Sequence, residues 1–215
     1  MVAVSAVTVR PDRGASLKRA RALNRLTIAW NVVEGVVAVG AGLVAGSISL
    51  VGFGLDSGIE VSASLILVWR LAQERKGGCM AESDRRATRL IALSFVALAA
   101  YVVTQGVRDL SSGSKPEASL IGVVLTALSL LVMPLLARSK GRLAPALGSQ
   151  AVASEAEQTA LCAALSAVAL LGLGLNGLLG WWWADPVAAL LIGGLAARES
   201  VQTWRAESLE DTCCG

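Results

Sequence analysis

The chain has 215 residues, of which 54% are apolar and only 16% charged, with a formal net charge of +3 and a mean hydropathy of +0.63. A soluble domain of this size cannot hide that much hydrocarbon surface, so the composition excludes a water-soluble globular fold. The absence of histidine removes the commonest neutral metal ligand and the usual near-neutral proton carrier, so a metal site here has to use carboxylate, thiolate, amide or backbone oxygen.

Residues 1–20 contain Arg10, Arg13, Lys18 and Arg19 and no short apolar core before a small-residue cleavage site, so they read as a cytoplasmic tail and not as a removable signal peptide. Residues 21–206 hold six mostly apolar stretches, at 22–45, 49–72, 88–107, 118–137, 148–175 and 184–204. Each is long enough to cross about 30 Å of hydrocarbon as a helix. The connections 46–48 and 176–183 are too short for an extramembrane domain, so the expected architecture is a single all-α integral membrane bundle of six transmembrane helices. Residues 207–215 form a second cytoplasmic tail.

Basic residues cluster on alternate loops. They gather at the N-terminus, between the second and third spans (Arg70, Arg75, Lys76, Arg85, Arg86, Arg89), before the fifth span (Arg138, Lys140, Arg142) and after the sixth (Arg205), whereas only Arg108 and Lys115 fall on the opposite side. This pattern places both termini in the cytoplasm. The charges sit at helix ends and not on one soluble face, which argues against nucleic-acid binding. Trp181, Trp182 and Trp183 then lie at the outer interface, where indole rings settle.

Polar groups within the spans are the informative residues. Asn31 and Glu34 occupy adjacent turns of the first span and are candidates for an access path, a proton relay or interhelical hydrogen bonds. Gly42 and Gly46 fit a small-xxx-small helix contact. In the second span, Asp56 and Glu60 are four residues apart, on one helix face and about 6 Å apart along its axis. Each costs roughly 2.5 to 3.5 kcal/mol against lipid at mid-bilayer, so both should face the protein interior. That is the geometry of a cation site. The fifth span repeats the spacing with Gln158 and Cys162, and two such pairs on facing helices offer four side chains to a tetrahedral ion. If the fifth helix stops near Gly172, the two pairs lie at compatible depths. Glu155 and Glu157 are read either as attracting cations to the cytoplasmic mouth or as solvated or Arg-paired charges. Asp185, just before Pro186, reads as a helix initiator. Cys79, Cys213 and Cys214 lie outside the spans, and no pair of cysteines looks like an extracytoplasmic disulfide. The terminal pair reads as an unstructured tail, with lipidation or metal hand-over as the alternative.

The segment Gly46-Ser-Ile-Ser-Leu-Val-Gly-Phe-Gly-Leu-Asp-Ser-Gly-Ile-Glu60 resembles the second helix of the cation diffusion facilitator family, six-helix divalent-metal transporters that carry an acid-x-x-x-acid pair there. Aligned through Ser154-Glu155 and Trp183-Ala-Asp-Pro186, the family's fifth-helix His-x-x-x-Asp becomes Gln158-x-x-x-Cys162, as in a short, histidine-poor branch reading Asp-Ser-x-x-Glu and Gln-Thr-x-Leu-Cys. The resemblance covers most of the chain from Leu23 to Trp204. It implies a secondary transporter and no enzyme, with Asp56, Glu60, Gln158 and Cys162 as metal ligands. The family's cytoplasmic C-terminal domain has no counterpart here, so a homodimer would be held through helices or loops.

A Cys162 thiolate beside Asp56 and Glu60 favours zinc, whereas a protonated Cys162 leaves an oxygen-dominated site suited to manganese or iron. The cation is cargo and no permanently bound cofactor is expected. Its expected partners are the cation, protons moving inward in exchange for metal, and the lipid bilayer; high Ala, Gly and Arg usage suits a bacterial plasma membrane. The competing reading is a membrane interaction protein that keeps the fold without transporting, in line with the replaced His and Asp.

Overall fold

The computed structural model describes residues 13–74, 81–147 and 150–210. Among them the backbone forms six α-helices and no strand: α1 (Arg13–Ala45), α2 (Ile48–Glu74), α3 (Ala81–Ser112), α4 (Leu120–Leu147), α5 (Gln150–Leu179) and α6 (Ala184–Glu210). The first five are long and apolar enough to cross a membrane. Helix α6 matches α2 in length at 27 residues but mixes Arg198, Glu199 and Arg205 into its second half, which lowers its hydropathy. Cys79, Cys213 and Cys214 lie outside the described residues, as do Arg10, Arg75 and Lys76 of the basic clusters.

Helices α1, α3 and α5 each end at a glycine in the left-handed region, Gly46 (φ 65°), Gly113 (φ 67°) and Gly180 (φ 66°). A side chain there meets its own backbone, so glycine stops the helix at little strain. Gly46 is therefore a turn residue with open space around it, and not half of a helix contact. The contact that the small residues do serve is α1 on α2. A Cβ on Gly42 would stand 2.7 Å from Val51 Cγ2 and 2.9 Å from its backbone nitrogen, and one on Gly54 would stand 2.9 Å from Ala38 Cβ. Gly172, taken from the sequence as the loosened end of the fifth helix, is likewise a packing residue: α5 runs on to Leu179, and a Cβ at Gly172 would stand 2.6 Å from Ala188 Cβ of α6.

Helices α1, α2, α4 and α5 form a four-helix group, with α1 against α2 and α4, and α5 against α4 and α2. Helix α3 pairs mainly with α6, and this pair leans on the group through α2 and α5. The apolar core is built from Leu50, Phe53, Phe95, Val102, Met133, Leu165, Leu173 and Ile192. Large apolar side chains also cover the perimeter, among them Val36, Val44, Leu120 and Leu178 at 71%, 86%, 76% and 87% exposure. Apolar residues outside and polar residues within suit a protein whose solvent is lipid.

At the end of the bundle opposite the described N-terminus, the connections are tied together. Asp185, near the start of α6, accepts hydrogen bonds from Ser47 Oγ at 2.7 Å and from the Ile48 and Ser49 backbone nitrogens at 3.0 and 3.4 Å, and also from Ser49 Oγ. The Glu117 nitrogen donates to the Ala45 carbonyl at 2.8 Å, and Asn176 Nδ2 donates to the Pro116 carbonyl at 2.9 Å. Asp185 thus does more than initiate its own helix. It satisfies free N–H groups at the start of α2, where the helix dipole also favours a negative charge.

Candidate metal site

Helix α1 turns a stripe of Asn24, Thr27, Asn31, Glu34 and Ala38 inward, at the three- and four-residue spacing that keeps side chains on one face. Helix α2 answers with Phe53, Ser57, Glu60 and Ser64, α4 with Thr126, Ser129, Met133 and Lys140, and α5 with Thr159, Cys162 and Ser166, all buried. The polar members of these stripes meet inside the four-helix group.

Glu34, with no exposed surface, is the hydrogen-bonding centre of this interior. Its Oε1 accepts from Ser57 Oγ at 2.7 Å and from the Cys162 thiol at 3.7 Å, and its Oε2 accepts from Trp30 Nε1 and Ser129 Oγ, each at 2.5 Å. One carboxylate thereby links all four helices of the group. Its donors Ser57, Ser129 and Trp30 escape a reading of the sequence, although Trp30-x-x-x-Glu34 carries the spacing of a one-turn contact.

Asp56 and Glu60 are both buried, at 4% exposure, as their spacing predicts. Glu60 Oε1 lies 3.0 Å from Thr159 Oγ1, while its Oε2 has no hydrogen-bond partner. No hydrogen bond to Asp56 is formed among the described residues. Asp56 feels the charges of Glu60 and Glu34, and Cys162 feels those of Glu60, Glu34 and Asp56, so these four groups share one electrostatic environment. Cys162 is a free, buried thiol. Gln158, one turn before it, is half-buried and takes part in none of these hydrogen bonds, and its neighbour Thr159 is the α5 side chain that touches Glu60. Among the described residues, no three Asp, Glu or Cys side chains are gathered closely enough to hold an ion between them.

Asn31 is fully buried beside Glu60 and interacts with its carboxylate, but neither amide atom makes a hydrogen bond of normal geometry. Glu155 and Lys140 differ most from their sequence reading. The placement of Lys140 in a basic loop before the fifth span fails, because α4 continues through it to Leu147 and turns it inward, to 2% exposure. Its Nζ lies 3.7 Å from Glu155 Oε2 and donates to Thr159 Oγ1 at 3.2 Å. Glu155 is thus paired, by a lysine and not an arginine, while Glu157 is exposed. The Lys140 ammonium reaches Glu60 through one hydroxyl, and its charge is felt there.

A buried acidic interior of this kind, lined by hydroxyls, a thiol and an amide, is suited to receiving a cation or a proton. No curated protein sequence matches the chain. The family model of the cation efflux transmembrane domain matches residues 25–209. That match takes in nearly all of the described bundle, from α1 to α6 and including every residue of its acidic interior, and the chain accordingly belongs to the cation efflux family of integral membrane transporters.

Proposed function

We propose that the protein exports a divalent cation, zinc by first preference, in exchange for protons. Both termini are cytoplasmic in this reading, and the ion is held by Asp56, Glu60, Gln158 and Cys162. The observation that carries it is the acid pair on α2: Glu60 has a bare Oε2, and Asp56, also buried, has the like charges of Glu60 and Glu34 acting on it. A charge left uncompensated in a low-dielectric interior is expensive, and a divalent cation offsets two at once. Cys162 stands in their electrostatic environment and adds a soft donor that favours zinc when ionised. Gln158 joins as a neutral oxygen when α5 closes on the ion. No three acidic or thiol groups are gathered among the described residues, so in this reading the helices would have to draw inward to load the ion. Protons compete with metal for the same ligands, so protons arriving from the outer side release the ion there.

The test is zinc uptake into proteoliposomes under an imposed pH gradient. The native chain is expected to accumulate zinc, and Asp56→Ala and Glu60→Ala to lose uptake by about two orders of magnitude or more while still inserting. Uptake that survives both substitutions would refute the site, and uptake without proton movement would refute the antiport. Absence of flux with zinc, manganese or iron would favour the nontransporting interaction protein.

A further inference from the structure

We infer that Asn31 of α1 is a cation-binding residue, its side-chain oxygen entering the coordination of the ion held by Glu60 and Asp56. This rests on the transport site proposed above and adds a third helix to it. Two independent observations carry it. First, Asn31 has no exposed surface, yet neither Nδ2 nor Oδ1 makes a hydrogen bond of normal geometry, although its amide interacts with the neighbouring Glu60 carboxylate. Buried amides in folded proteins are hydrogen-bonded in the great majority of cases, and one with both ends unsatisfied marks the place of a missing ligand. Second, the neighbouring Glu60 is also unsatisfied, at Oε2; of the other such atoms, Asn24 Oδ1 lies two turns away on α1 and Glu155 Oε1 belongs to a carboxylate whose other oxygen faces Lys140.

Glu34, one turn along the same helix, shows why the amide and not the nearby charge is the α1 ligand. Its two oxygens already accept from Trp30, Ser57, Ser129 and Cys162. Taking up an ion there would break several of these bonds, whereas Asn31 would give up only its interaction with Glu60, which an ion shared by the two would replace. Glu34 is a positioning residue: its bond to the thiol fixes Cys162 towards the acidic interior. An asparagine also suits the charge balance. It offers a neutral oxygen to the ion without a further negative charge beside Asp56 and Glu60, and its Nδ2 can donate to whichever carboxylate oxygen the ion leaves bare. The resulting set is rich in oxygen, so the site accepts manganese as well as zinc, with Cys162 tilting the balance to zinc when it ionises.

Isothermal titration of zinc and of manganese into the purified full chain in detergent tests this. Asn31→Leu keeps the branched shape and the number of heavy atoms and removes both polar atoms. It is expected to weaken binding by roughly tenfold or more, the scale on which support of a bound metal is lost. Asn24→Leu, on the same buried stripe two turns away, is expected to leave both affinities unchanged. Asn31→Asp, which preserves shape if the leucine variant does not fold, is expected to bind at least as tightly and to shift the zinc-to-manganese preference towards manganese. Unaltered affinities in a folded Asn31→Leu, or an unaltered preference in Asn31→Asp, would overturn the inference and assign the unpaired atoms to bound water. Native protein that binds neither metal, or Asp56→Ala that binds as the native chain does, would instead overturn the transport site on which the inference stands.

Discussion

Two buried aspartates show how this molecule separates holding its shape from handling charge. Asp185 is 1% exposed and accepts four hydrogen bonds from Ser47, Ile48 and Ser49 at the start of α2. Asp56 is 4% exposed and accepts none among the described residues. Both carboxylates left water. The backbone and hydroxyl donors around Asp185 replace its hydration shell, so it fastens helices and has no capacity left for a ligand. Around Asp56 that replacement is missing, and an incoming cation is what would complete it. The degree of satisfaction, more than burial, distinguishes the carboxylate that builds the fold from the one available for function.

Glu155 is an intermediate case, a carboxylate with one oxygen paired to a resident cation and the other bare, and it gives the largest expected effect on stability. Lys140→Met leaves Glu155 buried without its partner and should destabilise the solubilised protein by about 3 to 5 kcal/mol, whereas Lys140→Met with Glu155→Gln should recover most of the loss. Thermal melting of the single and double variants checks this, and a single variant as stable as the native chain would remove Glu155 from the comparison. The two aspartates themselves should diverge next. Asp185→Ala is expected to lower stability by about 2 to 4 kcal/mol through its lost charged hydrogen bonds. Asp56→Ala should leave stability unchanged or raise it, since it removes an uncompensated charge. Equal losses in the two variants would break the distinction. The smallest effect belongs to the α3/α6 pair. There Ser200 Oγ donates to the Ala92 carbonyl at 3.0 Å within an interface otherwise built from Phe95, Val102, Ala189 and Ile192. Ser200→Ala should cost only about 1 kcal/mol in a denaturation series, with metal flux untouched.

The helices were legible from the sequence because spanning a bilayer demands long apolar runs, and the inward turn of Asp56 and Glu60 followed from the cost of facing lipid. What escaped depends on how the helices are rotated against one another. The hydroxyls of Ser57, Ser129 and Thr159 are unremarkable in a membrane helix until a carboxylate on another helix faces them. Lys140 was misassigned because a basic residue beyond an apolar run counts as a loop charge, and only the continuation of α4 turns it inward. Asp185 lies 136 to 138 residues from the groups it binds, a pairing with no local signature. Asn31 and Glu34 were visible as polar interruptions of α1, but which was saturated and which bare was decided across the bundle.

The ties at the end opposite the N-terminus have a mechanical meaning. Asp185 joins the beginnings of α2 and α6, Glu117 joins the approach to α4 to the end of α1, and Asn176 fastens the end of α5 to the same connection. Five of the six helices are thereby laced at one end of the bundle. Rocking of these helices, if the proposed transport uses it, would have its fulcrum there, so that a small angular change at the laced end would become a larger displacement towards the far end, where Lys140 and Glu155 meet.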